Sequence, residues 1–384
     1  MFQSFGSSQR YRWLSLGLLA IVGSFLALGR SASAETLLGE QLAEKLTAMQ
    51  CPGALVGIFP DQISDQISDQ DEPQRFALGV ADVTTKRPMA LDMHMRIGSV
   101  GKPLIGTVVL QLVGEGKLSL DDPISKYVEN VPRGDQITIR MLGNNTSGLF
   151  NTIENKGFQQ AIMERPERSW LPGEIFEFTF GQESYAPPGE KFRYSNTNAI
   201  LLAQAIKKVT GEHYGMQVES RICRVLGLRQ TAIPIEGQLP EPCPRAYRNG
   251  YPDKVIGYGN VFYDVTSYSA SWTNAAGEWY STLDDLGRMA RPLAMGQLLK
   301  EAERQTCLDW IETGHQDIQY GFLIAKRDGG IGHSGDVPGF NAVCSYYPDL
   351  KATVVVLTNL SNNQDGTMPA EQLAAIVLNH LRAR

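Results

Sequence analysis

Arg96-Ile97-Gly98-Ser99-Val100-Gly101-Lys102 (residues 96–102) runs straight into Pro103-Leu104-Ile105-Gly106-Thr107-Val108-Val109-Leu110-Gln111-Leu112-Val113 (103–113). Leu104, Ile105, Val108, Val109, Leu110, Leu112 and Val113 recur at helical spacing, so a helix over 99–113 is predicted. In its first turn, positions i and i+3 face the same side, which brings the Lys102 ammonium to the Ser99 hydroxyl. A serine at neutral pH needs such a neighbour to act as a nucleophile. The helix N-terminus adds a partial positive charge and a free backbone N–H, both useful to a developing oxyanion, and Gly98 permits a tight entry. Ser-x-x-Lys by itself is a weak signal, because average usage of the two residues yields about one such tetrapeptide in a chain of this length.

On the N-terminal side, Leu37, Leu38, Leu42, Ala43, Leu46 and Met49 form an apolar stripe at helical spacing, followed by strand-like runs at 54–59 and 75–83. Between these runs, 61–73 carries Asp-Gln-Ile-Ser twice in tandem and reads as a solvated hairpin tip. On the C-terminal side, 120–300 alternates helical stretches such as 197–209 with loops rich in Pro, Gly and Asn such as 185–190. The runs 321–325, 342–347 and 353–358 have strand length and are separated by turn residues, which predicts an antiparallel meander. An amphipathic helix over 368–381 closes the chain. Strands at both ends with helices between them give an α+β fold: an antiparallel sheet built from both chain ends and flanked by helices, with an inserted mainly α-helical domain. The expected division is 35–115 with 285–384 for the sheet domain and 116–284 for the helical one.

Residues 1–34 read as an export signal. Arg10 and Arg12 form a positive n-region, Trp13 to Gly29 is an uncharged, largely apolar run of 17 residues, and Ala32-Ser33-Ala34 supplies a cleavage site. That run sits at the short edge of what spans a bilayer, so an uncleaved anchor is the lesser alternative and would be the one route to a membrane. The expectation is an exported, periplasmic or extracellular protein. Without the three arginines of 1–34, 32 basic side chains face 41 acidic ones, a net charge of −9. An acidic chain with no basic cluster repels phosphate backbones, which excludes nucleic acid as a partner class. Cys51, Cys223, Cys243, Cys307 and Cys344 show no C-x-x-C spacing and the five histidines are scattered, so no metal site and no cofactor are expected. Cys223 with Cys243 is the closest pair in sequence, yet small buried apolar residues is the preferred reading for the cysteines.

Two more elements carry chemistry. Tyr194-Ser195-Asn196 follows Pro188-Gly189-Glu190-Lys191-Phe192 at the start of a helix. A tyrosine there can lose its proton if cations sit beside it, and the asparagine amide can orient a substrate amide. Gly332-His333-Ser334-Gly335 stands between two predicted strands. Glycine at 335 lets a substrate backbone approach a strand edge, and the imidazole supplies a proton carrier or a cation. Taken singly, Tyr194 reads as a core ring and His333 as a turn residue.

The order Ser-x-x-Lys, Tyr-x-Asn, His-x-Gly resembles the penicillin-recognising active-site serine hydrolases, which group class C β-lactamases, D-alanyl-D-alanine carboxypeptidases, esterases and D-aminopeptidases. The likeness extends through Arg96-Ile97-Gly98-Ser99, Gly114-Glu115-Gly116-Lys117-Leu118, Thr146-Ser147-Gly148-Leu149, Ala275-Ala276-Gly277, Tyr320-Gly321 and Pro338-Gly339-Phe340, covering most of 50–360. Tyr194-Ser195-Asn196-Thr197-Asn198, Ser271-Trp272 and Ser361-Asn362-Asn363 are most similar to secreted D-alanyl-D-alanine carboxypeptidases. The resemblance implies a β-lactamase/transpeptidase-like fold and a two-step acyl transfer on a small peptide, ester or β-lactam. It implies that Ser99 attacks while Lys102 and Tyr194 relay its proton, the base being open between them. His333 would hold positive charge beside Tyr194 and return a proton to the leaving group. Asn196 would bind the acyl-side amide, Trp272 would line the cleft, and Ser99 and Asp336 would donate their backbone N–H groups to the oxyanion.

The chain departs from that pattern where a terminal carboxylate would be recognised. The expected arginine position falls on Ala325, and the hydroxyl expected after Gly335 is Asp336. Two carboxylates at about 4 Å cost about 1 kcal/mol in water and more in a cleft. Arg327, two residues on and on the same strand face, lies roughly 6–7 Å further along and is a candidate to span that gap as the substrate-binding cation and to neutralise Asp336, with a solvated strand-end arginine as the plain alternative. Asn145, where relatives carry histidine, reads as structural. The first functional expectation is therefore a carboxypeptidase-like enzyme on envelope peptides. The second is an esterase or amidase for substrates without a free carboxylate, which Ala325 and Asp336 favour. The last is a non-catalytic envelope-binding protein.

Overall fold

The structure is a computed structural model that describes residues 34–61, 72–249, 262–315 and 317–384. The export segment and most of the 61–73 tandem repeat lie outside the described residues. An eight-stranded antiparallel sheet comprises β1 (Gly53–Pro60), β2 (Gln74–Gly79), β3 (Ile311–Glu312), β4 (Ile318–Tyr320), β5 (Ala325–Arg327), β6 (Gly330–Val337), β7 (Phe340–Tyr347) and β8 (Ala352–Thr358). Its order is β2-β1-β8-β7-β6-β5-β4-β3, so β1 from the N-terminal region pairs with β8 from the C-terminal one, with Val56 opposite Val356.

Val354-Val355-Val356-Leu357 explains why that sheet is central. Successive side chains on a strand point to opposite faces, and all four are buried, so both faces are covered. Val354 and Val356 pack with Leu38, Leu42 and Leu46 of α1 (Ala34–Ala48) and Leu373 and Val377 of α5 (Pro369–Arg382). Val355 and Leu357 face the larger core, which includes Leu104, Val108 and Leu112 of α2 (Lys102–Gly114), Leu201 and Ala205 of α3 (Asn196–Thr210), and Leu286 and Met289 of α4 (Leu283–Ala294). The α+β architecture is the expected one. Deep burial of such valines and leucines contributes about 1.5–3 kcal/mol each.

Three local expectations change. The run 321–325 is not a strand: 321–324 is the turn between β4 and β5, closed by the Gly321 N–H to the Ile324 carbonyl at 2.8 Å. Phe322, Leu323 and Ile324 are apolar because the turn is driven into the core, where the Leu323 N–H donates to the Gly143 carbonyl. Gly332 to Gly335 does not lie between strands but inside β6, its glycines fitting against close backbone rather than making a turn. The second N-terminal strand stops at Gly79, and beyond it Val80 makes an isolated bridge to Pro88. All five cysteines are free, Cys243 half-buried and the rest buried, with burial pushing the thiols of Cys51, Cys223, Cys307 and Cys344 up to about 12. Cys223 and Cys243 are not bridged.

Candidate active site

The nucleophile turn is built against β6. Gly98 has φ +53°, in the left-handed region that a side chain disfavours, and a Cβ there would lie 2.9 Å from the Asp336 nitrogen. Across from it, a Cβ on Gly335 would lie 2.0 Å from the Ile97 carbonyl oxygen and 3.0 Å from the Ser99 nitrogen. Two opposed glycines thus bring the backbone amides of Ser99 and Asp336 together. A short 3-10 turn, Gly98–Gly101, then leads into α2, which places Ser99 and Lys102 on one side as the spacing predicts.

Lys102 is completely buried. Its Nζ lies 2.7 Å from Ser99 Oγ, 2.8 Å from Asn196 Oδ1 and 2.7 Å from the Ala276 carbonyl oxygen, with no carboxylate among these partners. Burial holds the amine well below its ordinary value. The two carbonyl oxygens match the two hydrogens of a neutral amine, which leaves its lone pair for the Ser99 hydroxyl proton. Asn196 is held in this orientation by Asn151, whose Oδ1 accepts from the Asn196 backbone N–H at 3.1 Å and from its Nδ2 at 3.3 Å. One Nδ2 hydrogen remains for a substrate carbonyl.

Tyr194 OH lies 3.1 Å from Ser99 Oγ, and Lys102 Nζ is 5.0 Å from the centre of its ring. The ring is partly exposed in the cleft, yet the surroundings of the hydroxyl are crowded and push its pKa upward. The phenol keeps its proton, so the condition under which a tyrosine here could ionise, cations beside it, is not met. Asn145 positions this segment: its Oδ1 accepts from the Ser195 N–H at 3.0 Å and from Asn198 Nδ2 at 2.7 Å, and its carbonyl accepts from the Arg193 N–H. That is the structural role expected of it.

His333 is buried, and its ring centroid is 6.1 Å from that of Tyr194, so it stands behind the phenol rather than on the serine. Burial, assisted by repulsion from Lys102, pushes the imidazole down to about 3. It is therefore neutral at pH 7, and the expected positive charge beside Tyr194 is absent. With Nδ1–H donating to the Ser334 carbonyl, Nε2 accepts from Tyr320 OH at 3.2 Å. Tyr320 is itself buried and raised well above its ordinary value, so it is a donor.

Trp272 lines the cleft, and its buried indole Nε1 has no partner among the described residues, which leaves a donor for a ligand. Ser334, Gly335 and Asp336 line the same cleft, a cavity of about 1770 Å³. The pairing of β5 with β6 ends at Gly332, so beyond it the β6 edge has no strand on that side among the described residues. Asp336 is exposed to the cleft's water. Desolvation by the atoms crowded around the carboxyl pushes it up to about 7, with Arg248 opposing and Glu371 adding to the rise. Arg327 does not neutralise Asp336: it pairs with Glu371 at 3.0 Å and Asp328 at 3.6 Å. Arg327 also lines the cavity, and Ala325 supplies no charge. Sequence reasoning gave no role to Asn151, Tyr320, Arg248 or the Ala276 carbonyl. Tyr320 stood next to a noted Tyr-Gly pair, while a backbone carbonyl has no residue signature at all.

The Beta-lactamase family model matches residues 41–378. A penicillin-binding protein of Bacillus subtilis is 26% identical over 298 residues, covering 74% of this chain and 64% of that protein. Protein flp of Staphylococcus aureus is 23% identical over 311 residues, covering 79% of this chain and 60% of its own length, so the chain spans less than two thirds of these curated relatives. A solved D-stereospecific amidohydrolase from Streptomyces superposes with a TM-score of 0.76 at 27% identity, covering 91% of this chain and 99% of that one. D-amino acid amidase from Ochrobactrum anthropi, at 24% identity and TM-score 0.79 over 91% of this chain and 99% of its own, shares the fold. With a match from the first helix to the last and the serine, lysine and tyrosine gathered at one oxygen, the chain is a member of the Beta-lactamase family of serine hydrolases and penicillin-binding proteins.

Proposed function

We propose that the chain is a serine amidohydrolase that works through an acyl-enzyme at Ser99. The observation that carries this reading is Lys102: a buried amine 2.7 Å from Ser99 Oγ, with no carboxylate among its hydrogen-bond partners Ser99, Asn196 and Ala276 and its pKa held well below the ordinary value by burial. In the proposed sequence, Lys102 takes the Ser99 proton as Oγ bonds to the carbonyl carbon. The backbone N–H groups of Ser99 and Asp336 receive the oxyanion. Tyr194, hydrogen-bonded to Ser99 Oγ, passes its proton to the leaving nitrogen as the C–N bond breaks and takes the serine proton back from Lys102, so that both groups end as they began, while the neutral His333–Tyr320 pair orients the phenol. Water then cleaves the ester by the reverse route, releasing an acid.

The open edge of β6 beside Ser99 suits an extended peptide, whose backbone adds to the sheet. Substrates without a free carboxylate on the leaving side fit better than a D-alanyl-D-alanine terminus, because Ala325 is uncharged and Arg327 is engaged by Glu371. The amidohydrolase neighbour is consistent with that choice, and the penicillin-binding relatives with acylation by β-lactams. A carboxypeptidase-like activity is the second reading, which Arg248 near Asp336 favours. Export through residues 1–34 belongs to the same proposal and places the substrates in the cell envelope.

Fluorophosphonate and fluorescent penicillin should both label the protein covalently, with the label on the Ser99 peptide, and Ser99→Ala should take up neither. A wild-type protein that stays unlabelled by both supports the non-catalytic alternative instead.

A further inference from the structure

Asn151, Glu154 and Arg193 line the cleft, and with Tyr185 they form a polar cluster that the acyl-transfer steps do not use. Tyr185 OH accepts from the Asn151 backbone N–H at 3.1 Å and donates to Glu154 Oε2 at 2.7 Å. Its ring stacks on Phe150 with centroids 5.4 Å apart, and Arg193 lies over it at 4.8 Å while pairing with Glu154 at 3.4 Å. The side-chain amide of Asn151 is assigned at both ends. Its oxygen faces the Asn196 backbone N–H at 3.1 Å, a group that only donates, and its Nδ2 faces Glu154 Oε1 at 3.4 Å, a carboxylate that only accepts. That order is passed on. Asn151 Oδ1 takes Asn196 Nδ2 at 3.3 Å, which leaves Asn196 Oδ1 for Lys102 Nζ at 2.8 Å. Turned round, Asn196 would offer its NH2 to the lone pair of Lys102 and draw that pair away from Ser99.

Resting on the Ser99 acyl-enzyme with Lys102 as its base, we propose that Tyr185 and Glu154 are positioning residues for that base: they fix Asn151, which fixes the amide of Asn196 and so keeps the Lys102 lone pair aimed at Ser99 Oγ. Both act through other side chains, and the route of the proton is unchanged. An exposed carboxylate and a half-buried phenol at the rim thereby set the geometry of an amine that is itself completely buried.

Tyr185→Phe removes the hydroxyl and keeps the ring against Phe150 and Arg193. Its kcat for a neutral ester should fall about tenfold with KM nearly unchanged, as expected when a reacting group is misaligned. Asn151→Asp supplies the deciding background. Both of its oxygens accept, so either end serves Asn196 and no rim group is needed to choose between them. There, Tyr185→Phe should change kcat by less than about twofold, a loss of additivity that marks residues acting through one another. Glu154→Leu, at an exposed position, should repeat the pattern, and it keeps the test intact if Tyr185→Phe fails to fold. A hydroxyl that merely braces the loop costs the same factor in both backgrounds, and that result overturns the relay. So does an unchanged kcat in both single variants, or a loss confined to KM, which would make the rim a substrate contact. In each of these outcomes fluorophosphonate still labels Ser99. Wild-type enzyme that takes no label overturns the parent reading instead.

Discussion

Lys102→Met should lower kcat/KM for a simple ester by about 10²–10⁴ while the protein still folds, the range expected for loss of a positioned general base. Methionine keeps the length of the side chain and fills the same buried space, so the core around α2 stays closed. Asn196 Oδ1 and the Ala276 carbonyl each lose a donor, and an unpaired buried acceptor costs about 1–3 kcal/mol. Against this, the variant no longer desolvates an amine. A chain that unfolds at a nearly unchanged temperature yet has lost its turnover separates the chemical role of Lys102 from a structural one. Activity within tenfold of wild type would remove Lys102 as the base and leave Tyr194, whose raised pKa makes it a poor substitute.

The second large effect belongs to a residue with no side chain. Gly335→Ala should cost about 10²–10³ in kcat, read against KM in steady-state kinetics with a neutral ester. The added methyl would stand 2.0 Å from the Ile97 carbonyl oxygen and 3.0 Å from the Ser99 nitrogen, both backbone atoms that cannot swing away. Strand and nucleophile turn must therefore separate, and the two oxyanion donors separate with them. Misplacing one such donor costs on the order of 10²–10³ in rate. The loss should fall on kcat because the donors are aimed at charge that develops in the transition state. A near-normal kcat would show that the Ser99 and Asp336 amides do not act as a pair.

What could be read along the chain was what sits in short motifs at the starts of helices. Ser99 and Lys102 share one turn, and Tyr194 and Asn196 lie at the opening of α3, so their separation in sequence hides little of their geometry. The sheet was legible for a similar reason: 342–347 and 353–358 carry their own periodicity. Protonation was not legible, because it depends on neighbours brought from elsewhere. Burial keeps Tyr194 a phenol and His333 an uncharged imidazole, where the resemblance implied a positive charge on His333. The partner of Arg327 was also hidden, since Glu371 comes from a helix forty-four residues on. At 321–324 the apolar residues that signal a strand are buried in a turn, so hydrophobicity identified the core and missed the element.

The rate of Ser99 labelling by a neutral fluorophosphonate, measured from pH 6 to 11 against a Ser99→Ala blank, tests the unprotonated Lys102 most directly. A base whose pKa is held well below its ordinary 10.5 gives a rate that rises with pH and levels off well before that value. A rate still climbing tenfold per pH unit up to 10.5 would mean that Lys102 carries its proton at neutral pH, and the mechanism built on it would be wrong.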